Sequence, residues 1–172
     1  MNETNSAEAM LIEYRKTVRN LFDTGASDVI DNSSPRHAAI LIEEMVRHAQ
    51  VSFRAFAGGM NPAVWNISVM NALKEAIERG VNVQLLVEHD CEPIVNGSMP
   101  DIVRRAVRRC KASEDFNPAS FSHCATGDRQ SFRMEMDQDA KTAAFSANNE
   151  GFASRVADIF DYLQTKSVPY AA

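Results

Sequence analysis

The stretch Phe121–Asn149, FSHCATGDRQSFRMEMDQDAKTAAFSANN, decides the fold. It opens with a small and apolar run carrying His123, turns at Thr126-Gly127-Asp128-Arg129-Gln130, and resumes as Ser131–Asp137. In that second run Phe132, Met134 and Met136 alternate with Arg133, Glu135 and Asp137, the period of a half-buried strand with one core face and one ionic face. Two such runs around a Gly-containing turn predict an antiparallel hairpin that sets His123 beside the charged row. Ala143–Ala147 reads as a further short strand, and Asn148-Asn149 caps a final helix whose apolar stripe is Phe152, Val156, Ile159, Phe160 and Leu163.

Upstream, the pattern alternates between helix and strand. Ser34-Pro35 is a helix start, a hydroxyl cap followed by a proline whose missing N–H costs nothing in the first turn. The helix from 35 to 49 carries Ala38, Leu41, Ile42, Met45 and Ala49, with His37 and His48 at its ends. Val51–Ala57 is a strand stopped by Gly58-Gly59, read as a simple strand exit. Asn66 caps a second helix bearing Val69, Leu73, Ala76 and Ile77, closed by Gly80, and Val81–Val87 is the next strand. Strand, helix, strand implies a parallel crossover. The expected class is α/β, a mixed, mostly parallel sheet with helices on both faces.

Residues 6–22 read as a separate amphipathic helix with the stripe Ala7, Met10, Leu11, Tyr14, Val18, Leu21 and Phe22, which packs on the core or serves a dimer or protein partner. A turn-rich linker, Asp23–Ser34, follows. The expected organisation is an N-terminal helix and linker over 1–29, an α/β domain over 30–166, and a flexible tail over 167–172.

At 172 residues and 45% apolar composition the chain suits one core. Its net charge of −5 argues against a dedicated nucleic-acid coat protein, though not against a local basic surface. Cys91, Cys110 and Cys124 are odd in number and widely spaced, which suits reduced, cytoplasmic thiols rather than a disulfide framework or a zinc knuckle. Met1–Glu8 lacks a signal-peptide layout, and no run reaches a membrane span. Glu88-His89-Asp90-Cys91-Glu92 follows a strand's carboxyl end. Only Glu88 with Asp90, or His89 with Cys91, can converge there, and without a spaced second ligand pair the segment reads as a solvated loop; no metal and no cofactor is expected. A helix from Pro100-Asp101 through Cys110 would place Arg104, Arg105, Arg108 and Arg109 along one face, with Lys111 beyond. That face offers a phosphate or nucleic-acid surface, or simply a solvated one.

The His strand, the Asp in its turn and the later Ser/Asn element resemble a degenerate phospholipase D-type domain over roughly 30–163. Its motif is H-x-K-x4-D followed by a Gly-Ser/Asn element. His123 takes the His position. Ala125 stands at the Lys and Gln130 at the Asp, Asp128 lies two residues early, and Ser146 and Asn148 resemble the later element.

In active members, the resemblance implies, one His attacks phosphorus, a second protonates the leaving oxygen, two Lys stabilise the added charge, and two half-sites make one centre. A single-copy chain would then be a homodimer with His123 facing its copy. The candidate site is His123, Arg133 and Asn148, with Asp128 or Glu135 orienting the imidazole and Arg133 substituting for the lost Lys. The alternative for Arg133, Glu135 and Asp137 is an ion-pair row. Loss of the ammonium points to a binding or regulatory module rather than an enzyme, and the resemblance, through an aberrant branch of that superfamily, implies a bacterial defence or toxin-antitoxin context. A His-based dimeric phosphodiesterase or nuclease is the alternative, and nucleic-acid binding through 104–111 the second.

Overall fold

The computed structural model describes residues 3–32, 34–137 and 142–170. Ser33 of the predicted linker, Met1 and Asn2 of the polar N-terminus, and Ala171 and Ala172 of the predicted tail lie outside them. The first elements are α1 (Glu3–Thr24), β1 (Ile30–Asn32), α2 (Pro35–His48), β2 (Ser52–Ala57), α3 (Ile67–Glu78) and β3 (Asn82–Val87). They are followed by α4 (Glu92–Val95), α5 (Asp101–Arg104), β4 (Val107–Cys110), β5 (Cys124–Gly127), β6 (Ser131–Asp137), β7 (Thr142–Ser146), α6 (Glu150–Thr165) and β8 (Ser167–Pro169).

The caps predicted from sequence are made. Ser34 accepts from the His37 N–H at 3.2 Å, Asn66 from Ser68 and Val69, and Asn149 from Phe152 at 3.1 Å.

The strands form one sheet in the order β1-β7-β6-β5-β2-β3-β4-β8. It is mixed, as expected, but not mostly parallel. Only β2–β3 and β3–β4 run parallel, and the other five pairings are antiparallel. The reason is local: three residues separate β5 from β6 and four separate β6 from β7, too few for a crossover, so each strand must reverse. The β5–β6 turn is tight, with Asp128 at φ 53 and Arg129 at φ 58. Positive φ at two central residues is the geometry whose twist matches the flanking strands.

Two cores flank the sheet. Leu41, Met45, Leu73, Leu85 and Phe145 pack beneath α1, α2 and α3, while Phe56, Leu86, Phe132, Phe160 and Leu163 pack beneath α6. The stripe of α1 is buried in the first core through Val18 and Leu21. Its polar side is tied to α2 as well. Arg15 donates to Glu44 at 2.6 Å and to Glu43 at 2.7 Å, and Arg19 donates to Glu44 at 3.0 Å. Burial alone would raise the Glu43 carboxyl, but the Arg15 and Arg47 guanidiniums more than reverse this and lower it.

Two expectations are overturned here. Residues 107–110 are strand, not helix, because they fill the edge between β3 and β8. The tail from Ser167 is not loose, since Ser167–Pro169 form β8 against β4 and the Tyr170 N–H bonds the Val107 carbonyl.

Candidate functional site

The carboxyl ends of β2 and β3 open into a cavity of about 680 Å³. Its wall is apolar at Ile42, Met60 and Trp65, and polar at Asn32, His123, Arg133 and Glu135. Sheet register explains the gathering. The Glu135 N–H donates to the His123 carbonyl, and Ala125 sits directly opposite Arg133 across β5–β6. Since alternate residues share a face, Arg133 and Glu135 both point toward the α2 layer. What the sequence presented as an ionic outer face is therefore an inner wall roofed by helices. Met136, expected in the core, is 63% exposed because β6 projects beyond its cover.

His123 is held at both ring nitrogens. Nδ1 lies 2.8 Å from Glu135 Oε2 and Nε2 lies 3.2 Å from Glu88 Oε2. Two ionised carboxylates, which only accept, favour the doubly protonated ring, in which both nitrogens donate. Burial pulls its pKa down, but the hydrogen bonds and charges of Glu135 and Glu88 outweigh burial and raise it. Phe56 packs edge-on against the ring at 5.6 Å.

Arg133 is the opposite case. Its Nε is sealed from solvent without a hydrogen-bond partner, and among the described residues the side chain makes no ion pair. Glu135, the carboxylate that acts on this guanidinium, is engaged by His123. Burial lowers the guanidinium's pKa, with Glu135 and Tyr14 opposing. Arg133 stands directly opposite Ala125 across β5–β6, and both residues line the cavity.

The other candidate residues are elsewhere. Asp128 does not orient the imidazole. It accepts the N–H groups of Gln50, Val51 and Ser52 at 2.7, 2.9 and 2.8 Å, at the far end of β2. Asn148 is not in the pocket either: it donates to the Gly25 carbonyl at 2.8 Å. Both lie at the opposite sheet edge because β5 and β7 run away from the cavity. Glu135 pairs with His123, and among the described residues Arg133 makes no ion pair with it.

Nor do the Arg104–Lys111 side chains form one face. In strand β4, Arg108 bonds Ser167 Oγ and its carbonyl, while Arg109 pairs with Asp90 at 2.9 Å. Glu88 and Asp90 do not converge: the first serves His123, the second Arg109. Cys91 is buried against Met60, apart from His89. No cluster of metal-ligating side chains occurs among the described residues.

Sequence reasoning missed Glu88 as a histidine partner, being 35 residues away. It also undervalued Gly58-Gly59, read as a plain strand exit. A Cβ on Gly58 would meet His89 Cε1 at 2.7 Å and His123 Cε1 at 3.3 Å, and one on Gly59 would meet the Asp90 carbonyl at 2.6 Å. The glycines let the Glu88–Asp90 segment close over His123. Met60, at φ 58 and buried, continues this constrained wall.

No protein-family model and no curated protein sequence matches the chain. Solved structures do. The archaeal chromatin protein TrmBL2, described by its novel mode of DNA binding, aligns over 98% of this chain with TM-score 0.64 and 15% identity. Nuc of Salmonella typhimurium, a phospholipase D family member, aligns over 84% with TM-score 0.59 and 17% identity, and NucT of Helicobacter pylori over 83% with TM-score 0.57 and 10% identity. The alignment spans 99% of Nuc and 100% of NucT, but this chain covers only 64% of the archaeal protein's length. At such identities the likeness concerns the fold alone, an α/β architecture similar to that of the phospholipase D family member Nuc and of NucT.

Proposed function

We propose that the chain is a catalytically silent phospholipase D-like domain that binds a ligand, a homodimeric binding or regulatory module rather than a phosphodiesterase. The observation that carries this is the double clamp on His123. A histidine nucleophile must present a lone pair to phosphorus, and an imidazolium donating to Glu88 and Glu135 has none. The missing Lys is the weaker argument, because Arg133 restores a positive charge opposite Ala125.

The test is turnover of bis(p-nitrophenyl) phosphate by folded protein, with trapping of phosphohistidine. The reading expects neither, and turnover abolished by His123→Ala defeats it. Sedimentation equilibrium should show a dimer, and a monomer at every concentration tested removes that part of the reading.

The archaeal neighbour's DNA binding favours a second reading, nucleic-acid contact through Arg104, Arg105 and Lys111, which make no ion pair among the described residues. Such binding would weaken steeply with salt. Binding that ignores salt, or none to duplex DNA, removes it.

A further inference from the structure

Two of the side chains lining the cavity, Arg133 and Asn32, carry unmatched polar atoms. Besides the Arg133 Nε, the Asn32 Oδ1 is buried and unpartnered, and so is the Tyr14 hydroxyl, which α1 brings down beside Arg133. Burial drives that phenol up to about 12, so it stays protonated. Asn32 and Glu135 flank Ala143 in the same row of the sheet, and Asn32 and Arg133 line the same cavity.

Most buried polar groups in native proteins are paired, and a sealed guanidinium nitrogen without a partner is expensive. Sheet and helices could have placed a carboxylate beside it. Instead the one nearby, Glu135, is spent on His123.

We propose that the cavity holds a small organic anion whose carboxylate or phosphate accepts from Arg133, with an adjacent hydroxyl or ammonium donating to Asn32 Oδ1. The two orphaned groups have opposite polarity, a donor and an acceptor, which an acid bearing a neighbouring donor satisfies together. Ile42, Met60 and Trp65 form the apolar wall for its body, and Asp90 and Glu92 at the rim accept further donors. A cavity of about 680 Å³ is the size that ordinarily encloses a small metabolite. This inference rests on the ligand-binding reading above and deepens it.

The test uses the full chain and four sodium salts at matched ionic strength: phosphate, glycolate, acetate and chloride. In wild type, the Arg133 Nε–H resonance should shift saturably with phosphate and glycolate, less with acetate, and not with chloride; Tm should rise in the same order. Arg133→Met should have a higher Tm than wild type in chloride, because a stranded charge is gone, and should lose the anion response. Arg133→Lys, which keeps the charge, should retain part of it.

Absence of a saturable shift with all three oxyanions overturns the inference. So does an Arg133→Met protein that melts lower than wild type yet responds unchanged. Failure here leaves the absence of phosphodiester turnover standing, whereas turnover would sink the silent-domain reading without touching anion binding.

Discussion

Replacing Arg15 by Ala tests whether α1 is a working part of the domain. The Glu44 carboxylate it holds is 1% exposed, while Arg15 itself is 29% exposed and Arg19 52%. Losing one partner of a fully buried pair costs about 3–5 kcal/mol, because the remaining charge is stranded. Here Arg19 still reaches Glu44 at 3.0 Å, Arg47 still reaches Glu43 at 3.0 Å, and Arg15 is partly screened by solvent.

The discounted cost is about 2–3 kcal/mol. At roughly 2–4 °C per kcal/mol for a chain of this size, Tm should fall by about 5–10 °C. Differential scanning calorimetry measures it. The double variant Arg15→Met with Glu44→Leu should recover part of the loss, since it strands no charge. An Arg15→Ala protein melting within about 1 °C of wild type would refute the reasoning, because that change corresponds to under ~0.5 kcal/mol.

Four further outcomes are expected. His123 has a raised pKa, so its contribution to stability is complete below the unfolded value of about 6.5 and is lost as pH rises through the folded value. The stability gap between wild type and His123→Gln in urea should therefore narrow as pH increases above 6.5, and a widening gap contradicts the clamp. Asp128→Ala should cost about 2 kcal/mol in urea unfolding, by removing three charge-assisted bonds at a turn, and leave the anion response intact. Gly59→Ala should cost about 1–3 kcal/mol in the same assay, because its Cβ meets backbone rather than a flexible side chain. All three cysteines are buried, with burial driving Cys91 up, Cys110 to about 11 and Cys124 to about 12. Ellman's reagent should find no reactive thiol in native protein and all three after denaturation; one fast thiol would contradict the packing.

Local signals in the sequence located much of the frame. Ser34-Pro35, Asn66 and Asn149 each cap the helix they announced, and the alternation of Phe132 to Asp137 produced β6. What escaped was set by partners distant in the chain. Arg108 and Arg109 of the VRRC segment stand at helical spacing from Arg104 and Arg105, yet the segment becomes strand because β3 and β8 hold it from both sides. Three residues of β8 are too few to show a period of their own.

At the site, the pairing of His123 with Glu135 was legible because both lie on one hairpin. The Glu88 contact depends on β2 lying between β5 and β3, and on two glycines thin enough to admit it. Asp128 and Asn148 misled for the same reason: motif spacing counts residues along the chain, while strand direction carries these two to the other edge. Arg133 was singled out in the sequence, but its burial near Tyr14 of α1 was not legible, since that follows from the N-terminal helix folding back.

The central claim is that His123 has no lone pair to offer, and nitrogen-15 NMR of its ring at about pH 6.5 tests it most directly, because an unperturbed histidine is half neutral there. Both ring nitrogens should be predominantly protonated, and Glu88→Gln should reduce that population. A ring that is half neutral or more in wild type, with its unprotonated nitrogen at Nε2, would contradict the account.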